Sequence, residues 1–447
     1  MDVNVKFLGA TGTVTGSRFL LGIGSFRLLF DCGLFQGLKE LRLRNWEPFP
    51  IHAESIDAVV ISHAHIDHTG YLPKLVKDGF TGPIYCTPPT ADLMEIMLLD
   101  SAKLQQEEAE YAQKKGYSKH KNPLALYSED DARIVFQMSK TVGYNTPFRI
   151  HDRIEIVYRD AGHLLGSAIT EVFIKGDSQT KKILFSGDVG RYEQDLLRAP
   201  AAIEQADILF IESTYGTKDN PFDDPADDLT CIVNETFDRG GVLVIPAFAV
   251  GRTQSLLYYF RKLMLEDKIP DVPVYVDSPM AISATYLFYK HPSYHKVKTT
   301  REDLTRDMET NMLVFVKSPE HSKSLNALKT KAIIISSSGM MTGGRILHHM
   351  FNRLPNKQDT FLVSGFQAEG TRGRRLLDKE PTIRIFGEDV KVNCTVEFIS
   401  SMSGHADRGE LFRWMQNFKD KPKLTFCVHG EGEELEKYAQ AIRDTYQ

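Results

Sequence analysis

Between positions 63 and 68 the chain reads His63-Ala64-His65-Ile66-Asp67-His68, three imidazoles and one carboxylate in six residues. The run follows directly on DAVVISH (57–63), an apolar, β-branched stretch that reads as a strand. In extended chain His63 and His65 point the same way. A turn at Asp67 and His68 brings both of those donors beside them. Imidazole nitrogens and carboxylate oxygens are ligands for zinc-like divalent cations, and this set is large enough to serve two of them. Two further donors lie downstream. His163 sits in DAGHLLGSA between two strand candidates, and Asp188 closes KKILFSGD. A lone histidine in a Gly-rich turn, or a lone aspartate at a strand end, is ordinarily a turn residue. Here both follow the histidine cluster at the ends of successive strands, so both read as ligands. A carboxylate has two oxygens, which lets Asp188 bridge two metals.

The elements that must hold these residues are short strands ending in polar residues. VNVKFLGA (3–10), FRLLFDCG (26–33), RIEIVYRDAG (153–162), AITEVFIKG (168–176), KKILFSGD (181–188) and ADILFIEST (206–214) are the candidates, and several end in Gly, Asp or Ser. Loops held out over one sheet edge are where chemistry sits. Gly-rich turns such as GATGTVTGS (9–17) separate the early strands, which predicts a mixed sheet. Residues 88–140 predict helix, broken by KKGYSKHKNP (114–123), with Ser128 and Asp131 spaced as a capping box. From about 213 the pattern alternates β and α. GGVLVIPAF (240–248), VPVYVDSP (272–279), MLVFVKSP (312–319), KAIIISSSG (331–339) and DTFLVSGF (359–366) are continuous apolar runs. Strands buried on both faces of a parallel sheet look like this. No internal repeat or low-complexity segment interrupts the pattern.

The chain has 447 residues, 42% hydrophobic and 25% charged, enough for two domains with sizeable cores. Its net charge of −5 excludes a globally basic nucleic-acid coat but not a local basic cleft. Five scattered cysteines without a CxxC argue against a disulfide scaffold and for a reducing cytoplasm. The opening MDVNVKFLGA reads as a first strand rather than a signal peptide, and the longest apolar runs are too short to span a bilayer. No membrane partner is therefore expected.

HAHIDH, the histidine of GHLLGSA and the aspartate of SGD together resemble the metallo-β-lactamase superfamily. Glu212 in IESTYG, His405 in SMSGHAD and His429 in VHGE are similar to the three additional motifs of its β-CASP nucleases. The resemblance covers essentially the whole chain. It implies an α/β fold, an αββα sandwich formed by 1–212 plus 393–447, with an inserted βαβα (β-CASP) domain at 213–392. It also implies two Zn2+ per chain: His63, His65 and His163 on the first, Asp67, His68 and His429 on the second, and Asp188 bridging. Asp31, at the end of FRLLFDCG, would orient a ligand histidine by hydrogen bond. His405, held and kept protonated by Glu212, would be the general acid, and Asp67 would join this catalytic group.

The implied activity is a zinc-dependent ribonuclease acting on single-stranded RNA, an endonuclease with 5′→3′ exonuclease action left open. In SSSGM (336–340) and GFQAEGTRGRR (365–375), Ser336, Ser337, Ser338, Arg372, Arg374 and Arg375 are the candidate RNA contacts, on loops expected to open helices. His348 and His349 are expected on a solvated helix face. The alternatives are a DNA nuclease of the same family and a non-catalytic scaffold of an RNA-processing complex. Retention of a histidine at 429, where the DNA-repair branch generally has valine, favours RNA. A homodimer is left open.

Overall fold

Two sheets packed face to face account for the first half of the chain. The computed structural model describes residues 3–115, 123–220, 224–297, 302–303, 306–307, 312–365 and 367–446. Most of the helix break expected at 114–123 lies outside them. Cα packing divides the chain into two units, Met1–Asp219 with His405–Gln447, and Asn220–Gly404.

In the first unit one sheet takes its strands in chain order: Val3–Phe7 (β1), Phe19–Ile23 (β2), Phe26–Phe30 (β3), Ala58–Val60 (β4), Ile84–Cys86 (β5) and Ser139–Thr141 (β6). Strands β1 to β3 pair antiparallel and β3 to β6 parallel, so the sheet is mixed. The second sheet runs Phe148–His151 (β7), Ile154–Asp160 (β8), Ala168–Lys175 (β9), Thr180–Phe185 (β10), Ile208–Glu212 (β11) and Leu424–Val428 (β20). Its last three strands are parallel, although β20 arrives from the far end of the chain.

Alternation fixes the layers. Leu28 and Phe30 of β3 meet Tyr158, Val172, Phe185 and Phe210 of the other sheet in one core, where the rings of Phe30 and Phe185 stack at 3.7 Å. Leu29 and Val59, pointing the opposite way, are also fully buried. The connections from β4 to β6 supply helices Leu72–Lys77, Pro88–Lys115 and Glu129–Met138. The last begins at the Ser128–Asp131 capping box. The outer face of the second sheet, Ile169, Leu184, Leu209 and Ile211, packs on Leu411, Trp414 and Met415 of helix Arg408–Met415 and on Tyr438 and Ile442 of helix Gly432–Tyr446.

The second unit is an all-parallel sheet in the order Leu313–Phe315 (β14), Val274–Asp277 (β13), Ile333–Ser336 (β15), Leu243–Pro246 (β12), Thr360–Val363 (β16) and Thr395–Phe398 (β19). Helices Pro225–Asp238 and Arg252–Leu265 cover one face through Leu229, Phe237, Phe260 and Leu263. Helices Pro319–Leu325 and Ile346–Arg353 cover the other, joined by a hairpin of Thr382–Ile385 (β17) and Glu388–Lys391 (β18). The borders differ from the expected 212/213 and 392/393. The pairing of β19 with β16 keeps the chain in this sheet beyond residue 393. Among the described residues no helix is long and apolar enough to cross a membrane, and all five cysteines are free thiols.

Candidate metal centre

Every candidate ligand follows the C-terminal end of a strand in the first unit, or the turn just after it. Asp31 follows β3 and His63 follows β4. His65 is the N-cap of the one-turn helix Ile66–Thr69, which carries Asp67 and His68. His163 lies in the turn between β8 and β9, Asp188 follows β10, Glu212 ends β11 and His429 follows β20. Because β8, β10, β11 and β20 run the same way, their ends share one edge of the sandwich. His405 precedes helix Arg408–Met415, whose N-terminus is capped by Asp407. Asp31 and His429 both adopt the left-handed backbone, at φ 51° and 56°. Non-glycine residues held there cost on the order of 1–3 kcal/mol, and such positions cluster at working sites.

Two groups of donors have ligand atoms within 4.8 Å of one another, His63, His65, His163 and Asp188, and Asp67, His68 and His429; a third set, Asp188, Glu212 and His429, overlaps them. Asp188 faces both. Its Oδ2 lies 3.5 Å from His63 Nε2 and 3.6 Å from His163 Nε2. Its Oδ1 lies 3.4 Å from His68 Nε2 and 3.8 Å from His429 Nδ1. That Oδ1 is buried and has no hydrogen-bond partner among the described residues. The imidazoles also aim nitrogens at one another, 3.0 Å between His68 Nε2 and His429 Nε2 and 3.0 Å between His63 Nε2 and His65 Nδ1. Nitrogens about 2.0–2.1 Å from a shared tetrahedral ion would be roughly 3.3 Å apart. The donor set thus fits two divalent cations on chemistry, spacing and the orphaned oxygen.

Electrostatics point the same way. Asp31, Asp188 and Glu212 are buried and Asp67 partly so, yet no lysine or arginine pairs with any of them among the described residues. Buried charge without a counter-charge is costly, so positive charge must come from imidazolium or metal. Burial and neighbouring imidazoles push His63 well down, and burial pulls His65 to about 4. Asp67 falls to about 2 because His68 and His429 outweigh its burial. His68 and His429 are raised despite burial, since Asp188, with Asp31 and Asp67, surrounds them. The field that would hold protons there attracts a cation equally. His405 is pushed up to about 9: burial lowers it, but the charge and hydrogen bond of Glu212, with Asp188, prevail. Its Nδ1 lies 3.3 Å from both Glu212 oxygens.

Comparison with known proteins adds a lineage to this geometry. The metallo-β-lactamase superfamily domain matches residues 20–209, the Beta-Casp domain 253–376 and the Zn-dependent metallo-hydrolase RNA specificity domain 389–447. Ribonuclease TTHA0252 of Thermus thermophilus is 33% identical over 96% of this chain and 93% of its own. The chain belongs to the β-CASP family of metallo-β-lactamase-fold nucleases. It is accordingly a metal-dependent hydrolase. An RNase J-like protein of Methanocaldococcus jannaschii is 31% identical over 99% of this chain and 96% of its own. Transcription termination factor FttA of the same organism is 31% identical over 99% of this chain and 69% of its own. A solved protein of unknown function from Enterococcus faecalis shares the fold, with a TM-score of 0.53 at 14% identity over 95% of this chain and 93% of that one.

Two hydroxyls that sequence reasoning passed over hold the β-CASP centre in place. Ser62 donates its N–H to Asp31 Oδ1 (2.8 Å) and its hydroxyl to Asp31 Oδ2 (2.9 Å), and its Oγ lies 3.0 Å from His63 Nδ1. Asp31 Oδ2 also lies 2.7 Å from His68 Nδ1, the orienting contact expected of it. Thr214 Oγ1 lies 3.0 Å from His429 Nδ1 and 3.2 Å from the His429 carbonyl. Adjacency to a ligand, or to Glu212, was the only signal available for either.

In the second unit the expected RNA contacts are mostly engaged with protein, a correction to the sequence reading. Ser336 is fully buried and donates to the Asp277 carbonyl at 3.0 Å, so its hydroxyl is not offered to a ligand. Ser338 closes a turn with Thr342 and Gly343, and the next helix begins only at Ile346. Ser337 is half-buried, and its hydroxyl has no partner among the described residues. Arg372 donates to the carbonyls of Arg384, Met341 and Thr342. Arg374 pairs with Asp378 and Arg375 with Glu380, which offsets two of the three guanidinium charges. His349, expected in solvent, is fully buried with Nε2 2.7 Å from Asp277 Oδ2, while its neighbour His348 is exposed.

Proposed function

We propose that the protein is a zinc-dependent ribonuclease that cuts single-stranded RNA, with two Zn2+ per chain. The observation that carries this reading is Asp188, whose two oxygens face two separate imidazole clusters. His63, His65 and His163 would hold one ion and Asp67, His68 and His429 the other, a nitrogen-rich donor set that suits zinc. Bound there, the ions supply an activated water at neutral pH and positive charge for the phosphorane-like transition state. Hydrolysis joins a water oxygen to phosphorus and breaks the bond to the 3′ oxygen, which must then gain a proton. His405 provides it. With Nδ1 held by Glu212, the imidazolium carries its other proton on Nε2, and the side chain keeps 21% of its surface exposed beside a fully buried Glu212. The products are a 3′-hydroxyl and a 5′-phosphate.

The names of the relatives support RNA as substrate, as does the RNA specificity domain matched at 389–447, which contains His405 and His429. End-labelled RNA and DNA of one sequence, incubated with zinc-loaded protein and mapped at both ends, test the reading. Equal cutting of both would overturn the RNA assignment. RNA left intact by fully loaded protein would overturn the enzyme assignment in favour of a scaffold. Sedimentation of the same sample decides the homodimer left open by the sequence.

A further inference from the structure

Adjacent strands β12 and β15 send the chain to opposite faces of their sheet. Helix Arg252–Leu265, leaving β12, packs with the core that contains Leu243 and Ile245. Helix Ile346–Arg353, leaving β15, packs with the core that contains Val244 and Ile334. In open parallel sheets such a divergence leaves a crevice at the C-terminal ends of the strands, and ligands bind there. Phe248, two residues past β12, stands at that point. The residue keeps 39% of its surface exposed, whereas Ala247 beside it is 1% exposed and Ile245 fully buried.

The ring is seated rather than loose. A Cβ added to Gly339, in the loop after β15, would lie 2.8 Å from Phe248 Cδ2 and 3.0 Å from Cε2. One added to Gly365, after β16, would lie 3.8 Å from Cε2 and 4.0 Å from Arg252 Nη2. The Cδ2–Cε2 edge therefore rests where other residues would carry side chains, and the Arg252 guanidinium shares the Gly365 side. The main chain beneath is stapled. Gln367 Nε2 donates to the carbonyls of Gly339 (3.1 Å) and Gly365 (3.2 Å). Thr253 donates its N–H (3.2 Å) and hydroxyl (2.9 Å) to the Phe248 carbonyl. Full burial of a phenylalanine side chain stabilises a fold. A support that instead fixes the ring with much of it outward forgoes part of that.

We propose that Phe248 is a stacking platform for an unpaired nucleobase of the RNA, with Arg252 beside it for the negatively charged strand. The proposal rests on the ribonuclease reading and adds a base-binding subsite to it. An aromatic ring with a guanidinium alongside is the combination that holds single-stranded nucleic acid without sequence preference. An apolar peptide would gain nothing from the arginine.

Equilibrium binding of short fluorescent oligoribonucleotides to zinc-loaded His405→Ala protein, which should hold RNA uncut, tests it. Adding Phe248→Leu should weaken binding by about 5- to 150-fold, the range of one base stack, and Phe248→Trp should preserve it. The slope of affinity against salt should not change, because no counterion contact is lost. Oligonucleotides of the same length carrying abasic sites should bind the Phe248-containing protein weakly and the Phe248→Leu protein no worse than normal RNA does. The abasic comparison holds even where Phe248→Leu fails to fold, because it uses the native ring. Equal affinity of Phe248-containing protein for normal and abasic strands, or an unchanged Phe248→Leu affinity, overturns the platform while leaving the ribonuclease intact. Protein that neither binds nor cuts RNA overturns the underlying reading instead.

Discussion

Asp31→Asn isolates the outer support of the second metal group. In the native protein Asp31 Oδ1 accepts from Ser62 N–H at 2.8 Å, and Oδ2 lies 2.7 Å from His68 Nδ1, 2.9 Å from Ser62 Oγ and 3.1 Å from Ser17 Oγ. Oδ2 acts only as an acceptor, so it holds the proton of His68 on Nδ1 and leaves Nε2 bare to face Asp188 and His429. Asparagine keeps the shape. Its oxygen stays with the Ser62 N–H, so its NH2 faces His68 Nδ1. Two donors now meet, and the imidazole relieves this by moving its proton to Nε2, where it blocks coordination. Loss of an outer partner of a metal histidine costs about 10–100-fold in affinity, roughly 1.4–2.7 kcal/mol. The site of Asp67, His68 and His429 should suffer more, because Asp31 touches His68 directly and reaches His63 only through Ser62 Oγ. Zinc content after dialysis against graded chelator, read beside thermal melting of the metal-free protein, measures both effects. Two zincs retained with native affinity would refute the assignment of the His68 proton, and equal weakening of both sites would refute the separation of the two groups.

Other outcomes follow from the same geometry. Glu212→Gln should pull the alkaline limb of the cleavage profile down from near pH 9 towards the ordinary imidazole value of 6.5. The Glu212 interaction stabilises imidazolium, is fully present below that ordinary value and is lost as pH rises through the raised one; an unmoved limb would assign the proton to another group. Thr214→Val should release the second metal about 10-fold more readily while leaving the first unchanged, measured by the same chelator titration. Replacing Arg374 and Arg375 by alanine should leave the salt slope of RNA binding within about half a unit of native, because Asp378 and Glu380 already neutralise them; a drop of about two units would restore them as phosphate contacts.

How much of this could be read from the chain depended on the distance over which each residue finds its partners. The gathering of the candidate donors was legible because strand-end position and residue type are local properties, and His63 to His68 lie within one strand–turn–helix. The parallel sheet of the second unit was legible because burial on both faces leaves an unbroken apolar run. The Ser128–Asp131 cap was legible at a spacing of three. His349 was not, since its partner Asp277 lies 72 residues upstream and only the pairing of β13 with β15 brings that strand end near. The place where the chain leaves the second unit is likewise non-local: nothing in Thr395–Phe398 itself assigns that strand, and its pairing with β16 does. Arg374 and Arg375 are the instructive case, because Asp378 and Glu380 stand four and five residues on and the neutralisation was within local reach.

Backbone strain connects these levels. Asp31 and His429 pay for left-handed φ values with main-chain bonds, Asp31 N–H to Val60 carbonyl and His429 N–H to Ala10 carbonyl. Each follows a strand, and each turns a polar side chain towards Asp188's side of the sandwich at the point where continued extension would carry it past. Glycine would relieve the turn but bring no donor, so the fold keeps the strained residue that reaches the centre. Ser62 and Thr214, one residue from a ligand and two from Glu212, then fix the rings those turns deliver. A metal centre built this way needs its imidazoles oriented before any ion arrives. The hydroxyls, which no motif marks, should therefore matter most for how tightly a metal is held and least for whether the chain folds.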